Sequence, residues 1–442
     1  MTTDDATRAT TDVRDLAEAD LDRALDLSYT VFHLKPGDRT RNFHRDLLRD
    51  GLRVGAYDGE ELAGLAGAHR RTITVPGSQL PCAAVDFVSV LPTHRRRGIL
   101  TSMMDELWRR CAADGRPLAC LWPSESAIYG RYGFGAATEV YRIEIDASRP
   151  LALRSAPDSR PLRLIDPAEA PAMLAPRYDA TLPQRAGRFT RDESWWRAGA
   201  LDLDRVRMNA GQDGFGPARV VVLGAPGEQP GGYAFYRTRG PGEGPGVVRV
   251  DELEAESAPA AAALWSYLAS IDLTSTVRAE CRPADDPLLY LAADRDQVRI
   301  TGQEPSLWLR LVDVRTALTA RSWAAPVDLV LDLRDTALPA NAGRFRLTTV
   351  PADPAGPVSP ADPTGSTSPA DPAGPVGATW EPTGAAPDIS LDVRELASCY
   401  LGGTPLRHFV HAGLATEHTP GAVRRLDAAL ETAWLPFTGE NH

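Results

Sequence analysis

Apolar residues return at three- and four-residue steps over residues 16–32, with Leu16, Leu21, Ala24, Leu25 and Ser28 on one face, and the spacing predicts a helix. Residues 40–50 predict a second helix, ended by Gly51. The pattern then changes to strand-like runs at 53–57, 61–69, 72–75 and 80–90, with turns at Asp58-Gly59 and Pro76-Gly77, which predicts an antiparallel meander. Pro92 closes the last strand by removing a ladder donor. Helical spacing resumes over 98–113, where Ile99, Leu100, Met103, Met104, Leu107 and Cys111 share a face. A short strand at 118–122, a short helix at 125–130 that Ser124 can cap, and a strand at 139–145 complete this first run of elements.

Residues 147–160 are proline-bearing and aperiodic, which predicts a linker. Beyond it the same order returns faintly. Helices are predicted at 168–178 and 193–200, strands at 219–223, 232–238 and 247–253, an alanine-rich helix at 258–270 and a strand at 276–280. A third run starts near Thr301, with strands at 307–311 and 327–333 and a helix at 314–321. Pro-Ala-Asp-Pro then recurs three times within 351–377. That stretch has almost nothing to bury and cannot offset its ordering entropy, so a disordered surface insertion is predicted over 351–386. Helices at 392–400, 404–411 and 421–430 end the chain. The class is α+β, divided at 1–148, 149–300 and 301–442.

The junction between the strand at 80–90 and the helix at 98–113 carries the chemistry. Its loop, Thr93-His94-Arg95-Arg96-Arg97-Gly98, is basic and contains a glycine. The first amides of a helix have no internal partner, and the helix dipole adds partial positive charge there. Arginines supply charge-assisted hydrogen bonds, so strand, basic loop and helix together make an anion site. A solvated basic turn is the competing reading. GxxxxGK[ST] is absent and no GxGxxG follows a strand, which excludes a plain P-loop and a dinucleotide fingerprint. The second run carries Glu254-Ala255-Glu256-Ser257-Ala258-Pro259 at the matching junction, and two carboxylates there repel a pyrophosphate. It is predicted to be a degenerate copy that walls a substrate cleft or an oligomer contact. The alternative is an unrelated α/β domain.

Arg95-x-x-Gly98, after Val88-Ser89-Val90 and before an amphipathic helix, resembles the pyrophosphate loop of the GNAT acyl-CoA-dependent N-acetyltransferases. Leu100 departs from the glycine or alanine usual there. Two longer strings, VSVLPTHRRRGILTSMM and SESAIYGRYGFGAAT at 124–138, resemble the enhanced-intracellular-survival (Eis) branch. The resemblance implies two tandem GNAT-like acetyltransferase domains, the second degenerate, followed by a sterol-carrier-protein-like domain. It implies acetyl-CoA as acyl donor, no metal, and a strand splayed from its neighbour near 88–90. Val88, Ser89 and Val90 would then hold the thioester carbonyl and pantetheine. Arg95, Arg96, Arg97, Gly98, Ile99, Leu100 and Thr101 would hold the pyrophosphate, with Ser124 and Glu125 on the pantetheine or adenine side. Tyr129 matches the family's proton donor, and Tyr132 is the structural aromatic of the two. Without the motif, Tyr129 would be read as a core tyrosine. The implied base is the terminal carboxylate, here that of His442, on a tail whose Trp434, Leu435 and Phe437 can pack inward. Family tails often end in an aromatic preceded by an acid. Here Asn441 takes that place and Glu440 stands one step further back, and a frayed tail is the competing reading. Phe87 matches an aromatic of a wide, acidic aminoglycoside cleft, although the first helix has no acid near Val31. A homo-oligomer, a hexamer, is implied as well.

Composition narrows the classes. The chain has 442 residues, too long for one core, and its net charge of -11 argues against general nucleic-acid binding. Lys35 is the only lysine, which leaves almost no side-chain amine for self-acetylation. Cys82, Cys111, Cys120, Cys281 and Cys399 are scattered with no CxxC, so neither a zinc site nor a disulfide framework is predicted, and a reducing cytoplasm fits. The polar N-terminus has no apolar segment of the signal-peptide kind, and no apolar run is long enough to span a membrane. The predicted function is acetyl-CoA-dependent N-acetyl transfer to amines of small polycationic substrates such as aminoglycosides. The alternatives are transfer to a protein or peptide lysine, and a non-catalytic lipid- or sterol-binding protein with a large apolar pocket in 301–442.

Overall fold

The computed structural model describes residues 11–196, 214–242, 244–349 and 377–440. The first run of elements is β1 (Asp12–Asp15), α1 (Leu21–Phe32), α2 (Asp38–Asp50), β2 (Leu52–Asp58), β3 (Glu61–Val75), β4 (Ser78–Val90), α3 (Ile99–Ala113), β5 (Leu118–Leu121), α4 (Ser126–Tyr129), β6 (Gly135–Ala136) and β7 (Glu139–Asp146). The second is β8 (Leu162–Ile165), α5 (Ala170–Thr181), α6 (Glu193–Trp195), β9 (Arg219–Leu223), β10 (Gly232–Arg239), β11 (Val247–Ala255), α7 (Ala258–Ala269), β12 (Thr276–Pro283), α8 (Leu288–Leu291) and β13 (Val298–Pro305). The third is β14 (Trp308–Leu311), α9 (Val314–Ala320), β15 (Asp328–Arg334), β16 (Gly343–Thr349), β17 (Ala378–Pro382), β18 (Ile389–Asp392), α10 (Val393–Cys399), α11 (Leu406–His411), β19 (Thr416–Glu417) and α12 (Ala422–Leu430).

Among the described residues the strands form three sheets, ordered β1-β2-β3-β4-β5-β14-β6, β13-β7-β12-β11-β10-β9-β8 and β17-β16-β15-β18-β19. The first two share a plan. A meander (β2-β3-β4, then β9-β10-β11) is followed by a helix and a strand parallel to the meander's last member. They also exchange strands. β7 leaves the first run to pair with β12, and β14 returns from beyond the second run to sit between β5 and β6. Residues 307–311, predicted to open the third unit, therefore belong to the first sheet. The apolar run Leu307–Leu311 reads as a strand from sequence, but its partner is fixed by tertiary packing.

β3 and β4 form one long hairpin, with Gly77 at φ 78 in its turn. The strand-like runs at 61–69 and 72–75 are one strand, and the two arginines between them find acceptors from mid-strand. Arg70 bonds Asp114 at 3.0 Å, and Arg71 bonds the Thr190 carbonyl at 3.0 Å. α3 lays the predicted apolar face, Ile99, Met103, Met104, Leu107 and Cys111, on one side of the first sheet. The other side, with Ile73, Cys82, Leu118 and Cys120, joins a core continuous with Trp323, Leu331, Trp380 and Tyr400 of the third unit. Removing surface of this kind from water contributes about 25 cal/mol per Å², and it couples the units into one body.

Two further expectations are corrected. Ser124 does not cap α4, whose N-cap is Glu125 and whose first turn has no side-chain cap. Ala378–Pro382, inside the insertion predicted at 351–386, is β17, paired with β16 and burying Trp380. The Pro-Ala-Asp-Pro repeats lie outside the described residues. Among the described residues, no helix is long and apolar enough to cross a membrane.

Candidate active site

β4 runs beside β5 only through the pairs Cys82–Leu118, Ala83–Ala119 and Ala84–Cys120. Beyond Ala84 it keeps β3 alone, and there it bulges. Phe87 stands at φ 57, and the register slips between Leu65 and Gly67. The Leu91 N–H donates to the Ala63 carbonyl at 2.9 Å. Strand alternation therefore turns the Val88 and Val90 amides away from β3, into the gap left by β5. Ser89 is buried, and its hydroxyl lies 3.0 Å from the Phe87 carbonyl and 3.3 Å from Oγ of Ser28, a residue of the cleft lining.

The loop beyond β4 is built to meet an anion. Arg96 (φ 64) and Gly98 (φ 82) both adopt the left-handed conformation, and Gly98 is the N-cap of α3. No side chain caps that helix, and its first bond runs from the Ser102 N–H to the Gly98 carbonyl at 3.1 Å. The amides of Ile99, Leu100 and Thr101 are thus left without helical partners. A Cβ on Gly98 would meet nothing within 4 Å, so the dihedral and not crowding calls for glycine. Arg95, Arg96 and Arg97 are all exposed. The Arg97 guanidinium bonds Asp58 at 2.8 Å and holds its carboxyl below the ordinary range. The Thr101 hydroxyl meets that of buried Tyr132 at 3.2 Å. Uncapped amides, two left-handed residues and free guanidinium surface fit a pyrophosphate.

The gap opens onto a cavity of about 330 Å³. Tyr129, Phe87, Val88 and Ser124 line it, whereas Glu125 is exposed outside the lining. Tyr129 is 7% exposed, with its ring edge-on to Phe134. Burial, reinforced by the negative charge of Asp86 and Glu125, pushes its phenol up to about 12. Sequence reasoning missed four further groups in the lining: Tyr29, His44, His69 and Asp86. Asp86 accepts from the Phe87 N–H at 2.7 Å and meets His69 Nε2 at 3.2 Å. Burial raises its pKa, but His69, the Phe87 amide and His44 outweigh it and keep the carboxyl below its ordinary value. The Tyr29 hydroxyl meets His44 Nδ1 at 2.9 Å, and burial pushes that phenol up to about 12. The Phe87 ring makes T-shaped contacts with both imidazoles. An acid inside the apolar run of β4 was the signal available for Asp86.

The second sheet opens in the same way, since β11 leaves β12 after Val250–Ala279. Its opening is filled. Phe437, Thr438 and Gly439 lie among Glu252, Glu254, Cys281 and Arg282, leaving about 10 Å³. The buried Glu440 carboxylate then meets Arg71 at 2.7 Å, Arg191 at 2.7 Å and the Tyr178 hydroxyl at 3.2 Å. Arg191 also grips Glu252 through two bonds, at 2.9 and 2.8 Å. Asn441 and His442, the latter expected as the base, lie outside the described residues. At α7 the anion site is closed. Ser257 Oγ accepts from the Ala260 N–H, Pro259 has no N–H to offer, and Glu254 pairs with Arg188 at 2.9 Å.

Acetyltransferase (GNAT) domain models match residues 12–137 and again 187–315, and a sterol carrier protein domain model matches 314–438. An uncharacterized N-acetyltransferase of Streptomyces avermitilis is 36% identical over 97% of this chain and 99% of its own length. The N-acetyltransferase Eis of Mycobacterium tuberculosis is 32% identical over 86% of this chain and 85% of its own. The crystal structure of Eis1 from Mycobacterium abscessus superimposes with a TM-score of 0.80 at 33% identity, covering 98% of this chain and all of that one.

Proposed function

This chain belongs to the Eis family of GNAT N-acetyltransferases, and from that premise we propose that it moves the acetyl group of acetyl-CoA to the amine of a small molecule, with Tyr129 as proton donor. The observation that carries the reading is the splay of β4 from β5, which opens directly onto a buried phenol. Acetyl-CoA, when bound, supplies the thioester. The amides of Val88 and Val90 hold the thioester carbonyl and the pantetheine in the gap. The loop from Arg95 to Thr101 receives the pyrophosphate mainly through its amides, with Arg95 and Arg96 adding charge and Arg97 shared with Asp58. Ser124 borders the same channel.

The acceptor arrives as an ammonium and gives one proton to the base. Its nitrogen bonds to the carbonyl carbon, the carbon–sulfur bond breaks, and the departing thiolate takes the Tyr129 proton. The second proton leaving the nitrogen restores the phenol. The base in this reading is the terminal carboxylate at His442. The anchoring of Glu440 on Arg71 supports it, because Arg71 follows cleft-lining His69 by two residues on the same face of β3. Aminoglycosides are the polycationic acceptors that the family resemblance brings. Assembly as a homohexamer and a cytoplasmic setting belong to the same reading. Exposed Trp434 and Leu435 offer apolar surface for contact between copies. The lipid-carrier alternative has less support. The groove of about 670 Å³ in the third unit is rimmed by Arg407, Arg424, Asp427 and Glu431, and Trp323, Trp380 and Tyr400 fill the core beneath the sheet.

Thiol release from acetyl-CoA over a panel of amines tests the reading on wild type, Tyr129→Phe and a chain extended beyond His442. Tyr129→Phe is expected to lower kcat by about 10²- to 10⁴-fold, and the extension to remove most activity. An extended chain with full activity would move the base elsewhere. A wild type that does not bind acetyl-CoA would end the proposal.

A further inference from the structure

We propose that Asp58 is a positioning residue for the coenzyme, because one oxygen of its carboxylate pins both flanks of Arg95-Arg96 in the loop that receives the pyrophosphate. The inference rests on the acetyltransferase reading above and adds a residue to its donor site. Asp58 closes β2, in register with Glu61 across the turn at Gly59, which stands at φ 63. β2 is paired along both edges, with β1 and with β3. The carboxylate therefore stands on the end of a paired strand and not on the loop it serves. Its Oδ2 accepts from the Arg97 guanidinium at 2.8 Å and lies 3.4 Å from His94 Nε2. His94 is itself fixed. It is 7% exposed, its amide donates to the Leu91 carbonyl at 2.8 Å, and its Nδ1 meets the Thr93 hydroxyl at 2.8 Å. Arg95 and Arg96, both exposed, lie between the two pinned residues.

The backbone says why the loop needs pinning. Arg96 holds φ 64, a left-handed conformation that a long side chain adopts rarely and keeps only where its surroundings fix it. Relaxation of Arg96 to ordinary dihedrals would turn its flanking N–H groups away from an anion. Charge and position make opposite demands on Asp58. A carboxylate beside this loop repels a pyrophosphate and occupies the Arg97 guanidinium as well. If charge alone ruled, its removal would tighten coenzyme binding. If pinning rules, its removal lets the loop relax and weakens binding. The ion pair with Arg97 cancels most of the repulsion and leaves the pinning, so the second outcome is the one this geometry supports.

The test measures coenzyme A binding by calorimetry on wild type, Asp58→Asn, Asp58→Ala and Asp58→Glu, and follows folding by thermal melting. Steady-state kinetics on acetyl-CoA and the fastest-reacting amine of the panel accompany it. Asp58→Asn and Asp58→Ala are expected to raise the coenzyme A Kd and the acetyl-CoA KM by about tenfold, the effect of losing one charge-assisted bond and the backbone it holds. The kcat, the amine KM and the melting temperature should stay nearly unchanged. Asp58→Glu, which keeps the charge, should recover part of the affinity. A folded Asp58→Asn that binds coenzyme A as tightly as wild type, or more tightly, would overturn the inference. So would a matching rise in the amine KM, which marks a general loss of structure. If coenzyme A binds and weakens in Asp58→Asn but no amine yields thiol, the transferase reading fails and the positioning role stands. If the wild type binds no coenzyme A, both fall.

Discussion

In the first sheet β4 parts from β5 after Ala84, and in the second β11 parts from β12 after Val250. The two gaps have the same origin and opposite contents. The first is an open cleft of about 330 Å³ with an uncapped helix and a basic loop at its end. The second holds Phe437, Thr438 and Gly439, and its helix is capped by Ser257 and carries Pro259 in its first turn. The short helices that follow differ as well. Tyr129 turns into the first cleft, whereas Tyr290 of α8 is 67% exposed at the surface. A parallel pair that splays is thus only a vacancy. The helix N-terminus, the loop charge and whatever occupies the gap decide whether it holds a coenzyme or a piece of the chain's own tail.

The largest effect is expected from giving the first junction the charge of the second. Arg95→Glu combined with Arg96→Glu places two carboxylates beside the uncapped amides of α3, as Glu254 and Glu256 stand near α7. Two charge-assisted contacts become two repulsions. The KM for acetyl-CoA should rise by about 100-fold or more, with melting temperature nearly unchanged because both side chains are exposed. Steady-state kinetics at fixed amine measure it. An unaltered acetyl-CoA KM would mean that the loop's sign is not what separates the two units.

The next effect empties the second gap. Glu440→Gln leaves Arg71 and Arg191 facing a neutral amide in a buried cluster, and breaking such a cluster costs about 3 kcal/mol or more. Denaturant unfolding should show that loss, and increased proteolytic nicking near Phe437 should accompany it. Acetyl transfer should fall with the tail's release, because Glu440 anchors the segment that carries the proposed base, and full activity with a released tail would move the base elsewhere.

The two fillings differ in how far the chain announces them. The apolar face of α3, the turn at Pro76-Gly77 and the basic loop at Gly98 are local patterns, and each appears in the structure where periodicity and turn chemistry put it. The strand exchange is not local. Trp308-Leu309-Arg310-Leu311 declares itself a strand, but nothing within those residues says that Arg310 will bond Asp335 while the strand joins β5. Glu440 looked like a terminal acid out of register, because Arg71 and Arg191 lie hundreds of residues away in sequence. Asp86 was hidden for the opposite reason. A single acid in an apolar strand breaks the pattern used to find the strand, and only the positions of His69 and the Phe87 amide give it a role.

The smallest effect lies on the helices behind the two gaps. α7 has no charged residue, and it packs Ala260, Ala263 and Leu264 against its sheet. α3 instead holds Glu106 between Arg109 at 2.6 Å and Arg110 at 2.8 Å, and Arg110 reaches on to Asp15 of β1 and to the Arg53 carbonyl of β2. The Arg109 bond, against a burial cost and with help from Arg110, lowers the Glu106 carboxyl to about 2. The folded value lies below the unfolded one, so the stabilisation is present above the ordinary value of 4.5 and is lost as the pH falls toward 2. The network is partly exposed, and Glu106→Gln should therefore cost at most about 1 kcal/mol at pH 7, less in high salt. The difference between wild type and variant should close as the pH is lowered from 5 toward 2. Urea midpoints of the first unfolding transition across that range measure it. A gap that stays open at the acid end would show that Glu106 acts through packing, as the alanines of α7 do, and the helices behind the two gaps would then be held in the same way.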